Sequence, residues 1–121
     1  MTRVLYVDDE PDIREIAELS LGLDPGFEVR TAASGKAALA LLSRWRADIA
    51  LLDVMMPEMD GPTLLGHIRR IPTLAALPVI FITARAQQSE LQNFATLDAV
   101  GVIAKPFDPV TLAARVRALI P

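Results

Sequence analysis

The segment Ile49-Ala50-Leu51-Leu52 consists of apolar residues only and is followed directly by Asp53. A second segment of the same kind, Val79-Ile80-Phe81-Ile82, is followed by Thr83. Apolar runs of strand length without alternation are typical of strands that helices cover on both faces, as in a parallel sheet. The two segments therefore predict two buried strands of an α/β protein.

Three further runs have the length of strands, and they lie at Val4 to Val7, Phe27 to Thr31 and Val100 to Ala104. The segments between the runs have helical length, and apolar residues recur in most of them three and four positions apart. The clear stripes are Ile13, Ile16, Ala17 and Ser20; Ala38, Leu41, Leu42 and Trp45; Leu64, Leu65, Ile68 and Ile71; and Leu112, Val116, Leu119 and Ile120. Strands and helices thus alternate along the chain.

Helix starts and turns carry suitable residues. Pro11 suits a first helical position, Ser34 is a candidate N-cap, and Asp60-Gly61-Pro62 provides a cap directly before a helix. Asp24-Pro25-Gly26 is typical of a turn. The predicted fourth helix, within residues 86–95, is largely polar, and we expect this segment to be mobile.

Five strands that alternate with five helices predict right-handed crossovers and a doubly wound parallel sheet. We therefore predict an α/β, flavodoxin-like fold whose five-stranded sheet has the order 2-1-3-4-5. The chain has 121 residues and 52% of them are hydrophobic, which predicts one domain, residues 1–121, with a core of its own.

Composition excludes several classes of protein. Fifteen acidic residues stand against twelve Lys and Arg without blocks of either sign, so we expect no direct binding to nucleic acid. Because cysteine is absent, disulfides, zinc ribbons and thiol catalysis are excluded. The start Met1-Thr2-Arg3-Val4 does not resemble a signal peptide, and no run approaches the ~18 apolar residues of a membrane span. We expect a cytoplasmic protein without a membrane partner.

Polar residues follow four of the five predicted strands: Asp8-Asp9-Glu10, Asp53, Thr83 and Lys105. In an open parallel sheet, ligands bind beyond the carboxyl ends of the strands. If the first and third strands are neighbours, Asp8, Asp9 and Asp53 converge in one crevice, where three carboxylates repel each other. Protonation of one carboxylate or a hard divalent cation would relieve the repulsion, and we favour Mg²⁺.

A lysine ammonium and a threonine hydroxyl at the same edge would face an anion with several oxygens, which fits phosphate. An ionised Asp53 needs no general base to act as a nucleophile, and Mg²⁺ with Lys105 can neutralise the charge on a transferring phosphoryl group. The predicted product is an aspartyl phosphate.

The residues Asp8-Asp9, the run from Leu51 to Gly61, Thr83-Ala84 and Lys105-Pro106-Phe107 together resemble the receiver domain of two-component response regulators. The resemblance covers the whole chain. It implies that Asp53 accepts a phosphoryl group from a phosphohistidine of a sensor histidine kinase or phosphotransfer protein. It also implies a signalling domain that catalyses only its own phosphorylation and dephosphorylation and controls a partner or output domain.

The resemblance assigns the metal site as well. Asp9 and Asp53 would ligate Mg²⁺ directly, together with the backbone carbonyl of Met55, while Asp8 would act chiefly through a water molecule. Lys105 would pair with the phosphoryl oxygens, and Thr83 would turn inward to donate a hydrogen bond to them.

The resemblance further implies a switch formed by Thr83, the fourth helix and the fifth strand, and a cis peptide bond before Pro106. The family often carries Tyr or Phe three residues before the lysine, where this chain has Val102. We therefore expect the signal to pass through the backbone and the fourth helix. Asp98 stands where a glycine commonly precedes the fifth strand, which Asp tolerates if its backbone is left-handed.

Partners are expected at the face formed by the fourth helix, fifth strand and fifth helix, where family members often dimerise. Arg115 and Arg117 are the exposed charges that we expect to contribute there. A stand-alone protein and a receiver from a longer regulator or hybrid kinase both remain open.

Two other classes of protein fit these residues less well. A haloacid-dehalogenase-like phosphatase needs a second Asp two residues after its nucleophile, and Met55 occupies that position. A flavodoxin-type cofactor binder needs a phosphate loop rich in Ser, Thr and Gly after the first strand, where this chain has three acids that repel phosphate unless a cation intervenes.

Overall fold

The computed structural model describes residues 1–84 and 98–121. The elements within these ranges are β1 (Thr2–Val7), α1 (Pro11–Leu21), β2 (Phe27–Ala32), α2 (Gly35–Leu42), β3 (Ile49–Asp53), α3 (Gly61–Arg70), β4 (Val79–Thr83), β5 (Gly101–Ala104) and α4 (Leu112–Leu119). The helix α4 corresponds to the predicted fifth helix. The predicted fourth helix, and with it the expectation of a mobile segment, lies outside the described residues.

The five strands form one parallel sheet in the order β2-β1-β3-β4-β5. The predicted α/β, flavodoxin-like fold and the predicted strand order are therefore confirmed. In this order β1 and β3 are hydrogen-bonded neighbours, with Val7 opposite Leu52. The carboxyl ends of the two strands consequently lie side by side.

The sheet separates two hydrophobic clusters because successive side chains of a strand point to opposite faces. In β1, Leu5 and Val7 pack on one side, while Val4 and Tyr6 pack on the other. The first cluster includes residues of α2 and α3, and the second includes residues of α1 and α4. Every residue of β3 and β4 is buried, as the unbroken apolar runs predict.

The predicted helix starts are confirmed. Pro11 is the first residue of α1, the Ser34 hydroxyl accepts a hydrogen bond from the Ala37 N–H at 3.0 Å, and Asp60 accepts one from the Thr63 N–H at 2.8 Å. Gly61 follows the cap residue Asp60 and lies where α3 meets the end of β3. A Cβ atom at this position would lie only 2.7 Å from the Asp53 carbonyl oxygen. A glycine thus allows α3 to begin directly against the strand that carries Asp53.

Four residues of the predicted stripes differ from expectation: Ile71 and Ile120 lie one position beyond the ends of their helices, and Trp45 and Ile16 differ more strongly. The helix α2 ends at Leu42, so Trp45 lies beyond it. The Trp45 side chain is still buried, because the following turn returns it to the sheet, where its indole N–H donates to Glu28 at 3.0 Å. Ile16 of α1 is exposed, since the buried side of this helix is formed by Ala17, Ser20 and Leu21.

No helix within residues 1–84 and 98–121 has the length and hydropathy that crossing a membrane requires.

Candidate functional site

An acidic pocket lies at the carboxyl ends of β1 and β3, next to the residue that follows β5. The Lys105 ammonium lies 2.8 Å from Asp8 Oδ2 and 3.4 Å from Asp53 Oδ2. It also lies 3.4 Å from Glu10 Oε1 at the exposed rim of the pocket. We use the name acidic pocket for Asp8, Glu10, Asp53 and Lys105.

Strand alternation explains why these side chains meet. Asp8 follows Tyr6 by two positions, Asp53 follows Leu51, and Lys105 follows Ile103. Tyr6, Leu51 and Ile103 all belong to the cluster that α1 and α4 cover. The polar residue two positions after each one continues on the same face, beyond the end of the apolar run.

Asp8 is fully buried and its carboxylate has several donors. The Tyr6 hydroxyl donates to Asp8 Oδ2 at 3.0 Å, and the Glu10 N–H donates to Oδ1 at 3.0 Å. The Arg14 guanidinium donates to the Asp8 backbone carbonyl at 2.8 Å and so ties α1 to the end of β1. Asp8 is therefore held in place both by its side chain and by its backbone.

Burial and neighbouring charges shift the pKa values of the pocket. Burial, and then the charge of Asp8, raise the pKa of Asp53 to about 6, although Lys105 opposes the shift. Burial alone would lower the pKa of Lys105, but its hydrogen bond to Asp8 and the surrounding carboxylates raise it. At neutral pH, Asp53 is thus mostly ionised and Lys105 is protonated.

The pocket offers donors that suit a hard divalent cation. Asp8, Glu10 and Asp53 each provide a carboxylate oxygen, and these atoms lie within 4.8 Å of one another. Carboxylate oxygens are the ligands that Mg²⁺ prefers. The half-buried Asp9 does not belong to this group, and Met55 lies on the loop after β3 with 58% of its surface exposed. Their predicted roles as ligands stay predictions.

The remaining predicted site residues lie on the β4 and β5 side. Thr83 ends β4 and is 1% exposed, and its backbone carbonyl accepts a hydrogen bond from the Lys105 N–H at 2.8 Å. The peptide bond between Lys105 and Pro106 is cis. Val102 lies opposite Phe81 in the sheet and is partly buried against the cluster that α2 and α3 cover.

Asp98 adopts the left-handed conformation that its position requires, with φ 64°. Its carboxylate accepts a hydrogen bond from Arg69 Nε at 3.1 Å, and its carbonyl accepts another from the same guanidinium at 3.1 Å. Arg69 also donates to the Leu77 carbonyl at 2.7 Å, so one side chain of α3 fixes the chain before β4 and before β5.

The expectation for Arg117 is wrong. Its guanidinium binds Asp24 at 2.6 Å and lies over the Phe27 ring, 4.5 Å from the ring centre. These contacts place it beside β2, at the opposite edge of the sheet from β5. Arg117 therefore does not contribute to the predicted partner face, whereas Arg115 is exposed as expected.

Three residues in or beside the acidic pocket were not predicted from the sequence: Glu10 as a contact of Lys105, and Tyr6 and Arg14 as partners of Asp8. A signal for Tyr6 exists, because it precedes Asp8 by two positions in a strand and must share its face. No comparable signal marks Arg14, since its contact depends on how α1 packs beside β1.

A doubly wound sheet with an acidic pocket and a lysine at its carboxyl edge defines a CheY-like receiver domain. Residues 4–117 match the family model described as the response regulator receiver domain. The chain belongs to this family of two-component systems. Receiver domains of this family bind Mg²⁺ at an acidic pocket and interact with histidine kinases or phosphotransfer proteins.

Individual relatives agree with the assignment. The chain is 36% identical over 121 residues to the DNA-binding dual master transcriptional regulator RpaA of Synechocystis sp., covering 99% of this chain and 49% of RpaA. It is 40% identical over 119 residues to the transcriptional regulatory protein CseB of Streptomyces coelicolor, covering 98% of this chain and 49% of CseB. The structure of the chemotaxis response regulator CheY4 of Vibrio cholerae superimposes with a TM-score of 0.89, at 34% identity and with 98% of each chain covered.

The chain spans between a quarter and a half of the length of curated relatives that it matches. It covers nearly all of CheY4. A receiver domain thus occurs among these relatives both as part of a longer protein and as almost the entire chain.

Proposed function

We propose that Asp53 is the phosphoacceptor of this receiver domain and takes a phosphoryl group from a phosphohistidine. One observation carries the proposal: the buried Asp53 carboxylate lies beside both Asp8 and the Lys105 ammonium at the open end of the sheet. A buried carboxylate that lies close to a second carboxylate and to a lysine has no evident packing role. It does have the charge and position of a nucleophile.

The phosphoryl transfer is a nucleophilic displacement at phosphorus. An Asp53 carboxylate oxygen forms the new P–O bond while the P–N bond to the histidine breaks, and the leaving imidazole nitrogen keeps the electron pair of that bond. When the other ring nitrogen of the phosphohistidine carries a proton, the imidazole leaves as a neutral molecule, and the Asp53 carboxylate reacts without taking up or giving up a proton. Hydrolysis of the resulting acyl phosphate by water returns the carboxylate and releases inorganic phosphate.

The cation-binding residues in this proposal are Asp9 and Asp53 with the Met55 carbonyl, and Asp8 through water. The proximity of Asp8, Glu10 and Asp53 supports a cation at this place. Bound Mg²⁺ supplies positive charge that lowers the repulsion between the carboxylates and an incoming phosphoryl group.

Lys105 and Thr83 serve the phosphoryl group in the same proposal. Lys105 moves from the carboxylates to the phosphoryl oxygens, a short displacement because its ammonium already touches Asp53. Thr83 donates a hydrogen bond from its hydroxyl to the phosphoryl group, and the movement passes to β5 through the backbone hydrogen bond from the Lys105 N–H to the Thr83 carbonyl. Val102 of β5 offers no aromatic ring for this step, so the backbone and the fourth helix carry the signal. The proposal also includes a change of conformation in the predicted fourth helix, which lies outside the described residues.

Residues 1–121 form one cytoplasmic receiver domain that catalyses only its own phosphorylation and dephosphorylation. A sensor histidine kinase or a phosphotransfer protein supplies the phosphoryl group, and the change of conformation controls a partner or output domain. The domain itself makes no direct contact with nucleic acid or membrane. A homodimer forms through the face that combines the predicted fourth helix, within residues 86–95, with β5 and with α4, which is the predicted fifth helix.

The test is the intact mass of the protein after incubation with MgCl₂ and acetyl phosphate, for wild type, Asp53→Asn and Asp12→Asn. Asp12→Asn is the matched control, because it removes an exposed carboxylate in the first turn of α1. We expect the mass of one phosphoryl group in wild type and Asp12→Asn, dependent on Mg²⁺, and no gain in Asp53→Asn. Equal gain in Asp53→Asn and wild type would contradict the proposal, as would no gain in wild type.

A further inference from the structure

The Tyr6 side chain contacts the acidic pocket from the core, and the proposed chemistry leaves this contact unused. Tyr6 is fully buried in β1, two residues before Asp8. Two residues of a strand span about 6.6 Å, and residues two apart share one face. A tyrosine ring is long enough to cover this distance, and its hydroxyl reaches Asp8 Oδ2 at 3.0 Å.

The position of the Tyr6 ring is set from two directions. Its backbone lies between the neighbouring strands, opposite Thr31 of β2 and Leu51 of β3. Its ring packs edge-on against Phe107, with ring centres 6.3 Å apart and planes at 68°. Phe107 follows Lys105 and Pro106, so the loop that carries the pocket lysine also holds the tyrosine.

The Asp8 carboxylate needs a hydrogen-bond donor that stays in place, because Lys105, one of its present partners, moves in the proposed function. Lys105 shares Asp8 Oδ2 with Tyr6, while the Glu10 N–H holds Oδ1. When Lys105 shifts to a phosphoryl group, the Tyr6 hydroxyl stays on Oδ2. Without this hydrogen bond the buried carboxylate would be free to rotate away from Asp53.

We propose that Tyr6 is a positioning residue for the cation site, whose hydroxyl keeps the Asp8 carboxylate turned toward Asp53. The inference rests on the proposed function, because it assumes that a divalent cation binds beside these two carboxylates. Hydrogen-bonding partners behind metal-site carboxylates typically contribute about 10- to 100-fold to metal affinity. Tyr6 would therefore affect Mg²⁺ binding without contacting Mg²⁺ or substrate.

The test is calorimetric titration of the full chain with MgCl₂ for wild type, Tyr6→Phe and Ser20→Ala. Tyr6→Phe keeps the ring and its contact with Phe107 and removes only the hydroxyl. Ser20→Ala is the matched control, because Ser20 is a buried hydroxyl that donates to the Ile16 carbonyl at 2.7 Å within α1, away from the pocket. We expect the Kd for Mg²⁺ to rise about tenfold in Tyr6→Phe and to stay unchanged in Ser20→Ala.

A spectroscopic measurement on the wild type needs no substitution. Tyr6 is the single tyrosine of the chain, so one ¹³C-labelled tyrosine gives one Cζ resonance. We expect this resonance to shift as MgCl₂ saturates the site, because the strength of the hydrogen bond to Asp8 changes. A tyrosine that only packs in the core would keep its Cζ resonance.

The outcomes separate the two proposals. A wild type that binds Mg²⁺, together with an unchanged Kd in Tyr6→Phe, would overturn the positioning role and leave the cation site intact. An equal loss of affinity in Ser20→Ala would also overturn it, since general destabilisation would then explain both variants. A wild type that binds no Mg²⁺ would overturn the cation site and the role of Tyr6 together.

Discussion

Two aspartates at opposite ends of the sheet differ in what their surroundings do to a carboxylate. Asp53 ends β3, is buried, and lies beside Asp8 and Lys105, and its pKa is raised to about 6. Asp24 precedes β2 in a surface turn, and its hydrogen bonds from Arg117 and from the Gly26 N–H hold its pKa below the usual value. Each aspartate has a cationic partner, yet the two pKa values move in opposite directions.

The difference comes from burial and from the second carboxylate. Asp24 has water and a guanidinium close by, so its ionised form is favoured in the folded protein. Asp53 shares one ammonium with Asp8 and has lost most of its water, so its ionised form is disfavoured. Ionisation of Asp53 therefore opposes folding at the carboxyl-terminal ends of the strands, where ligands bind. Ionisation of Asp24 favours folding at the amino-terminal end of β2, where the carboxylate stabilises a turn.

The largest effect should follow removal of the pocket cation. Lys105→Met would leave Asp8 and Asp53 buried without their ammonium, and the loss of one partner from a buried charge cluster costs about 3 kcal/mol. We expect the free energy of unfolding in urea, at pH 7.5 without Mg²⁺, to fall by about that amount.

Lys36→Met is the matched control, because Lys36 is the other lysine of the chain and is exposed. Its substitution should change the urea midpoint little. Adding Asp53→Asn to Lys105→Met should restore part of the lost stability, since one of the two uncompensated charges is then gone. A Lys105→Met protein as stable as wild type would show that the ammonium does not neutralise the pocket.

A smaller effect of opposite sign is expected for Asp53→Asn. Because the folded protein raises the pKa of Asp53, ionisation of this group opposes folding, and a neutral amide removes the cost. We expect the free energy of unfolding without Mg²⁺ to rise by about 2 to 3 kcal/mol at pH 7.5, since one pKa unit corresponds to about 1.4 kcal/mol. Urea unfolding of both proteins across pH 4 to 8 measures the difference.

The pH dependence of the stability gain in Asp53→Asn provides an independent check that ionisation of Asp53 opposes folding. The gain should be absent near pH 4, grow as the pH rises toward 6, and stay level above that value, because the wild-type carboxyl is neutral in the folded state at the acid end. Asp12→Asn, which removes an exposed carboxylate, should show no such gain. A gain of equal size at all pH values would contradict the assigned cause.

The sequence predicts the fold well because its signals are local and strong. The runs ending at Leu52 and Ile82 are short and rich in branched apolar residues, which favours buried strands over helices. Ser34 and Asp60 each cap the helix that begins directly after them. Trp45 shows the limit of periodicity, because an apolar residue at the right spacing packs against the sheet from a turn rather than from the helix.

The pocket was only partly predictable for a physical reason. Asp8, Asp53 and Lys105 stand at strand ends, so parallel topology alone brings them together. Arg14 reaches the Asp8 carbonyl from α1, and such a contact depends on the angle and depth of helix packing, which no spacing in the sequence specifies. Arg117 was misplaced for the same reason, since either side of α4 was compatible with its position.

The smallest effect on stability should follow substitution of Asp24, which lies at the amino-terminal end of β2. Asp24→Asn keeps an oxygen that can accept the hydrogen bond from Gly26 and removes the charge that faces Arg117. The lowered pKa of Asp24 means that its ionised form stabilises the fold above the usual Asp pKa and that this contribution is lost as the pH falls below it. We expect a slight fall of the urea midpoint at pH 7 that becomes smaller as the pH falls below the usual Asp pKa and through the lowered pKa of Asp24. Because the pair is exposed, 1 M NaCl should also remove the difference at pH 7, whereas the effect of Lys105→Met in the buried pocket should persist. A salt-resistant effect of Asp24→Asn would mean that the two edges of the sheet do not differ in the way their burial implies.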